Sequence, residues 1–347
     1  MASFDPAGKM DPDAVGTSSL PTLTAFFQEK SGDSDLTLVM NATALACKAI
    51  ARAVRKAGIA GLYGLAGTEN SSGDDVKKLD LLSNEMMISA LMQSGKVAAL
   101  ISEENEDPIL APAASSGRFI VAFDPLDGSS NIDCNVSTGT IFSVWERKTA
   151  PGTEATEEDI LQPGTDIVCA GYCMYGSATE FVCTFSTCGV HCFTLDPSLG
   201  EFIHTRADMK IPSKPKRIYS ANEGNFAHWD PEIQEAVNSF KNAEPKPFTQ
   251  RYVGSMVSDV HRTILYGGVF LYPADRKSPN GKLRVLYEGF PMCLLVKEAG
   301  GKASTGMFMG SIRDVTEIDP ESIHERCPII LGNTEFVDQV LAHYESS

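Results

Sequence analysis

Asp124-Pro125-Leu126-Asp127-Gly128-Ser129-Ser130-Asn131 sets two carboxylates ahead of a small, amide-rich turn, directly after the apolar run Phe119-Ile120-Val121-Ala122-Phe123. Successive backbone N–H groups in such a turn suit an anion such as phosphate. Carboxylates beside a phosphate dianion repel it unless divalent cations lie between them, so the segment points to metal-assisted phosphatase chemistry. The alternative is an Asp-Gly turn whose acids are merely solvated. A second run, Val97-Ala98-Ala99-Leu100-Ile101-Ser102, reads as a buried strand and ends in Glu103-Glu104. Neighbouring strands of an α/β sheet deliver side chains from their carboxyl ends to one crevice, where Glu103, Glu104, Asp124 and Asp127 could converge. A further acid, Asp80, lies in the helical pattern from Val76 to Met87, near Val76, Leu79 and Met87 by helical spacing. There it needs a partner: a neighbouring lysine, a metal or an activated water.

These acids require elements to hold them. Thr37 to Lys56 has helical character, with basic residues at its end and Gly58 as a stop, and a second helix is predicted over Val76 to Ser94. The glycine-rich stretch Ile59 to Gly73 between them reads as a mobile loop, either an inert connector or a lid that excludes water. Apolar, β-rich runs recur at Phe119–Phe123, Gly139–Trp145, Ile167–Met174, Glu180–Thr187 and Val190–Leu195, which suggests one large mixed sheet. Pro212-Ser213-Lys214-Pro215-Lys216 breaks the pattern, so a boundary is expected near residue 210. The fold class expected is α/β, with residues 1–20 as a tail.

The chain has 347 residues, long enough for two domains, and a formal net charge of −16 that disfavours nucleic acid and anionic membranes as partners. No apolar run is expected to approach a membrane span. Nine cysteines, an odd number without Cys-x-x-Cys pairs or a signal peptide, read as reduced thiols. Lys214, Lys216, Arg217, Arg251, Arg276, Lys277, Lys282 and Arg284 concentrate positive charge in the second half, where a second phosphate could be received.

Several blocks carry a resemblance: Gly73 to Asp80, Ser102-Glu103-Glu104-Asn105, Phe123 to Cys134, Gly171 to Thr179, Asn222-Glu223-Gly224, Arg251 to Met256, and Tyr272-Pro273 through Tyr287-Glu288. In this order they resemble fructose-1,6-bisphosphatase over nearly the whole chain beyond about residue 20. The Asp-Pro-Leu-Asp-Gly-Ser block alone also fits the wider superfamily of sugar and inositol phosphatases.

The resemblance implies alternating helix and mixed-sheet layers, a regulatory AMP-type domain over 21–210 carrying most metal ligands, and a sugar-bisphosphate domain over 211–347. It implies hydrolysis of the 1-phosphate of fructose 1,6-bisphosphate, a step of gluconeogenesis, with two or more Mg²⁺ or Mn²⁺ ions. Glu103, Asp124, Asp127, Glu288 and the Leu126 carbonyl would ligate metal. Asp80 and Glu104 would orient and deprotonate the attacking water, and Asp74 would organise the loop. Gly128, Ser129 and Ser130 would hold the reacting phosphate. Asn222, Tyr252, Met256, Tyr272 and Lys282 would hold the sugar and distal phosphate, with Arg251 reaching into a neighbouring subunit of a homotetramer. Phe226 stands near where the family has a tyrosine, and cannot donate a hydroxyl.

AMP as an allosteric inhibitor is implied through Thr37, Arg118 and Phe119. The segment Ser31-Gly32-Asp33-Ser34-Asp35 is more acidic than the family's, and Glu146 stands where an AMP-binding arginine is expected, with Arg147 as its substitute. The loop from about Lys148 to Asp166 lacks the cysteines of chloroplast members. A cytoplasmic location is expected, and a peroxisome-like organelle only if a C-terminal address is missing from the sequence in hand. Rival expectations are an inositol or nucleotide phosphatase, use of sedoheptulose 1,7-bisphosphate, and a noncatalytic sensor on the same scaffold.

Overall fold

The computed structural model describes residues 21–69, 75–113, 117–185 and 188–345. The expected tail, Asp74 and the last two residues lie outside them. The first part of the chain forms α1 (Leu23–Ser31), α2 (Ser34–Lys56), β1 (Leu65–Glu69), β2 (Asp75–Lys77), α3 (Lys78–Gln93), β3 (Val97–Ser102), β4 (Ile109–Leu110), β5 (Phe119–Asp127), β6 (Thr138–Glu146), the short α4 (Glu157–Ile160), β7 (Ile167–Tyr175), β8 (Thr179–Phe185), β9 (Val190–Asp196) and β10 (Glu201–Met209). There follow β11 (Ile218–Ser220), α5 (Pro231–Lys241), β12 (Thr249–Gln250), α6 (Met256–Tyr266), β13 (Val269–Tyr272), β14 (Leu283–Arg284), α7 (Phe290–Glu298), β15 (Lys302–Ser304), β16 (Met307–Phe308), β17 (Ser311–Ile312), β18 (Arg326–Cys327), β19 (Ile329–Gly332) and α8 (Thr334–Glu345).

An eight-stranded mixed sheet, ordered β10-β9-β8-β7-β6-β5-β3-β4, contains one parallel pair, β3 with β5; its other pairs are antiparallel. A five-stranded sheet, β12-β11-β13-β19-β15, forms a second layer. Both faces of the first sheet are covered, which explains the continuous apolar run of β5. Val121 and Phe123 pack with Val39 and Ile50 of α2 and Leu79 and Met87 of α3, while Ile120 and Ala122 pack with Val260 of α6 and Leu295 of α7. The second sheet lies between α6 and α7 on one side, through Phe270 and Leu331, and α5 and α8 on the other, through Leu271 and Ile330. The fold is therefore α/β, with layers of helix and mixed sheet in alternation.

Helix α2 starts three residues earlier than expected because Asp33 caps it, accepting hydrogen bonds from the backbone N–H groups of Asp35 and Leu36 at 2.9 and 3.0 Å. By length and composition α2 could cross a membrane, contrary to the expectation that no run approaches a span, but Val39, Met40, Cys47 and Ile50 are buried in the protein core. The glycine-rich stretch after it is not all loop: β1 and β2 pair as a small antiparallel ribbon leading into α3. Cys169, Cys173, Cys183 and Cys192 are buried free thiols within the sheet, as core residues would be.

Candidate active site

A strand places residues three apart on opposite faces, so a regular β5 would separate Asp124 from Asp127. It is not regular there: Asp124 pairs with Ile141 and Asp127 with Gly139, so three steps on β5 oppose two on β6. The extra residue is a bulge around Pro125, whose missing N–H suits an interrupted ladder. Thr140 Oγ1 donates to the Pro125 carbonyl at 2.8 Å, and the Leu126 N–H donates to Asp124 Oδ1 at 2.9 Å. The bulge turns both carboxylates to one side, where a ligand oxygen of Asp124, Asp127 and Glu288 lies within 4.8 Å of each of the others.

Three other elements close on this point. Glu103 follows β3, the parallel neighbour of β5, and its backbone N–H continues the pairing to the Phe123 carbonyl. Glu288 sits in a π-helical turn, Val285–Gly289, that carries the chain from β14 into α7, and it accepts from the Arg284 N–H at 2.6 Å. Helix α6 presents its N-terminus to Asp127 Oδ2, which accepts from Ser255 Oγ at 2.8 Å and the Val257 N–H at 3.0 Å.

The turn after β5 is held by the same approach. Gly128 has φ 74°, and a Cβ there would lie 2.8 Å from Cβ of Ser255, so both its conformation and its space require glycine. A short 3₁₀ turn, Ser129–Cys134, follows.

Asp80, in the first turn of α3, accepts the Lys77 N–H on Oδ2 at 2.8 Å, while Oδ1 is buried without a hydrogen-bond partner among the described residues. Of the neighbouring lysines, one alternative for its partner, Lys77 is engaged elsewhere, its Nζ 2.6 Å from Asp133. Ser102 Oγ donates to Asn84 Oδ1 at 2.7 Å, and Asn84 donates to Asn105, so α3 is latched to the loop that carries Glu103 and Glu104.

The charges are costly in this arrangement. Burial, then the charges of Glu103, Asp127 and Glu288, push the Asp124 carboxyl well above the usual range. Burial raises Asp127 to about 6 against the hydrogen bonds from Val257 and Ser255. It raises Glu288 to about 8 against the opposing charge of Arg284. Asp80 rises to about 6, mainly through burial. Arg284 is the counter-charge, with its guanidinium 3.1 Å from Glu103 and 4.0 Å from Glu288. Sequence reading counted Arg284 only among the cations of the second half.

All these groups line a cavity of about 610 Å³ with Gly128, Ser129, Ser130, Tyr252, Met256, Tyr272 and Lys282. Leu126, Glu104 and Arg326 line it too. Lys282 and Tyr272 also wall a smaller adjoining cavity, about 170 Å³, which contains Asn222. Asn222 caps the following 3₁₀ turn through the Gly224 N–H, and Phe226 packs against Trp229 with its ring centroid at 5.6 Å. Arg251 is in neither cavity. It lines a separate one with Lys216, Arg217, Lys246 and Arg262.

The carboxylates fit a divalent cation. Three oxygens converge, burial and mutual repulsion disfavour their ionised forms, and an all-oxygen donor set suits Mg²⁺ or Mn²⁺.

Two family models cover the chain: the fructose-1,6-bisphosphatase N-terminal domain over residues 22–207 and the C-terminal domain over 211–345. The chain belongs to the fructose-1,6-bisphosphatase family. It is 49% identical over 343 residues to the cytosolic fructose-1,6-bisphosphatase of Brassica napus, covering 96% of this chain and 98% of the relative. It is 48% identical to fructose-1,6-bisphosphatase 1 of Mus musculus, covering 94% and 95%. The holo crystal structure of Leishmania major fructose-1,6-bisphosphatase superposes with a TM-score of 0.89 at 41% identity, over 94% of this chain and 99% of that one. The family is metal-dependent, in keeping with the acidic cluster.

The residues tied to AMP by resemblance lie elsewhere. Thr37 is buried in α2 and its hydroxyl donates to the Asp33 carbonyl at 2.7 Å. Arg118 stacks over Phe119 at 4.8 Å and is paired at 2.8 Å with both Asp33 and Glu146. Arg147 cannot substitute for the missing arginine: its guanidinium is buried and bonded to Thr149, Thr153, the Glu154 carbonyl and Asp159.

Proposed function

We propose that this chain hydrolyses the 1-phosphate of fructose 1,6-bisphosphate, giving fructose 6-phosphate and inorganic phosphate. The observation that carries the reading is the convergence of Asp124, Asp127 and Glu288 beside the Gly128 turn, in a cavity that meets a second one at Lys282. Such a pair of cavities has a place for a reacting phosphate at one end and a distal anion at the other.

Glu103, Asp124, Asp127, Glu288 and the Leu126 carbonyl would hold two or more Mg²⁺ or Mn²⁺ ions. When bound, these supply positive charge for the attacking and leaving oxygens. The chain's own residues do the rest. Backbone N–H groups at Gly128 and Ser129, with the Ser130 side chain, hold the phosphoryl oxygens. Asp80 and Glu104 orient the attacking water and take its proton as the new O–P bond forms and the bond from phosphorus to the sugar oxygen breaks. Asp80, raised to about 6, is an acceptor only when ionised, so turnover should rise with pH through that value; an optimum well below it would contradict this role. Tyr252, Met256 and Tyr272 bound the sugar, and Asn222 and Lys282 take the distal phosphate.

Arg251, outside its own chain's cavity, fits a role at a neighbouring subunit's site in a homotetramer. The two matched family segments and the separate sheets support a regulatory unit followed by a sugar-bisphosphate unit, divided near residue 210. AMP would act through the Thr37, Arg118 and Phe119 region, and only after releasing Arg118 from Asp33 and Glu146. Cytosolic relatives favour a cytoplasmic location.

The test is phosphate release with Mg²⁺ from fructose 1,6-bisphosphate, sedoheptulose 1,7-bisphosphate and inositol monophosphate under identical conditions. Preference for the fructose ester is expected. Preference for another would move the substrate while keeping the site, and no release from any would overturn the reading.

A further inference from the structure

Four cations line the larger cavity: Lys77, Lys282, Arg284 and Arg326. Lys77 is committed to Asp133, and Arg284 to Glu103 and Glu288. Lys282 and Arg326 have no ion pair among the described residues. Their places differ, since Lys282 borders both cavities and Arg326 only the one that contains the carboxylates.

The ribbon that carries them explains the arrangement. Strands β14 and β18 pair antiparallel with Leu283 opposite Cys327 and Arg284 opposite Arg326. Leu283 and Cys327 belong to the hydrophobic core on one face, so both arginines project from the other, and Arg284 and Arg326 line the cavity, which Leu283 borders as well. Like charges directly opposite in a sheet are destabilising. Glu103 and Glu288 pair with Arg284, whereas no carboxylate among the described residues lies within ion-pair distance of Arg326, whose half-buried side chain makes no hydrogen bond among them. A guanidinium without an ion pair, in the cavity that also gathers the acids, is matched by an anionic ligand held there. A planar fork of N–H donors fits two oxygens of one phosphoryl group.

We propose that Arg326 is a substrate-binding residue for the reacting phosphate, contacting phosphoryl oxygens at the metal end of the cavity while Lys282 serves the distal phosphate. This rests on the reading of the site as a sugar-bisphosphate phosphatase. Positive charge fixed at the phosphoryl oxygens also persists as the bond to the sugar breaks, so the residue acts on turnover as well as on binding.

The experiment compares Arg326→Met, Arg326→Lys and Lys282→Met with the parent on fructose 1,6-bisphosphate and on fructose 1-phosphate, which lacks the distal group. Alongside, inorganic phosphate is titrated calorimetrically into each Mn²⁺-loaded protein. Arg326→Met is expected to lose roughly 10- to 100-fold in kcat/KM on both esters and about tenfold in phosphate affinity. Arg326→Lys should recover part of each. Lys282→Met should lose on the bisphosphate alone. Values for Arg326→Met within twofold of the parent, a loss confined to the bisphosphate, or no recovery by lysine would overturn the assignment. If the parent releases phosphate from neither ester, the proposed function fails, and the calorimetric comparison still decides whether Arg326 binds phosphate.

Discussion

Two buried acidic places in this protein are built to opposite ends. Asp159, fully buried in the segment after β6, accepts from the N–H groups of Lys148, Thr149 and Thr156 and from the hydroxyls of Thr149 and Thr156, with Arg147 at 3.5 Å. Burial works against its ionised form, but those donors outweigh it and hold the carboxyl at about 2. Asp124, Asp127 and Glu288 are equally withdrawn from water and face one another, with carboxyls pushed upward. A carboxylate that serves the fold is saturated by donors; one that serves a ligand is left short of them. The contrast distinguishes a site from a strut without reference to any relative.

The largest effect that would break this contrast is on turnover. Asp127→Asn should fold, keep the bonds from Ser255 and Val257, and lose roughly a thousandfold in kcat, in the range seen when charge stabilisation at a reacting centre is removed. Steady-state phosphate release checks it, and near-normal turnover would remove Asp127 from the site.

At the other acid the expected loss is in stability. Asp159→Ala leaves three N–H groups without their acceptor and the buried Arg147 guanidinium without its counter-charge, and should cost about 3 kcal/mol in denaturant unfolding while folded protein keeps its kcat. If kcat falls and stability does not, the two places have been assigned the wrong way round.

A third difference is in pH dependence. The cluster's carboxyls have folded values above their unfolded ones, so the native metal-free protein holds protons that the unfolded chain has released. Its stability must then fall as pH rises toward the folded values of about 6 for Asp127 and about 8 for Glu288. His191, His204 and His324, lowered by burial, act in the opposite direction below about pH 6.5, and the buried thiols, raised by burial, add a fall of the same sign only near pH 8, so the window that reports the cluster is pH 6.5 to 8. Thermal unfolding without metal should show a lower Tm at pH 8 than at pH 6.5, and saturating Mg²⁺ should abolish most of that drop.

The smallest effect concerns Arg118, a half-buried compromise between the two designs, shared by Asp33 and Glu146. AMP inhibition should be weak in this protein. Glu146→Arg should strengthen it about tenfold, roughly the gain from one charge-assisted contact. Unchanged inhibition would remove this region from nucleotide binding.

Much of this was legible in the sequence, and the rest was hidden for physical reasons. The block Asp124 to Asn131 is contiguous, so its acids and turn could be read together, and Glu103 followed from a strand running into acids. The bulge that turns Asp124 and Asp127 to one side depends on pairing with β6, which no local pattern encodes. Glu288 carries no local signal and was reached only through resemblance; it is the π-helical turn that brings it to the cluster. Arg284 and Arg326 look like any surface cations until β14 and β18 set them opposite each other. Glycine content made residues 59–73 read as loop, although part of that stretch pairs with β2.

The most direct test of the central claim, that the convergent carboxylates are a metal site, is calorimetric titration of Mn²⁺ into metal-free protein at pH 6.5 in buffers of different ionisation enthalpy. Binding should release protons, because Asp124 and Glu288 hold them before the metal arrives, and Asp127→Asn should bind far more weakly. Equal affinity in parent and variant, or binding without proton release, would contradict the account.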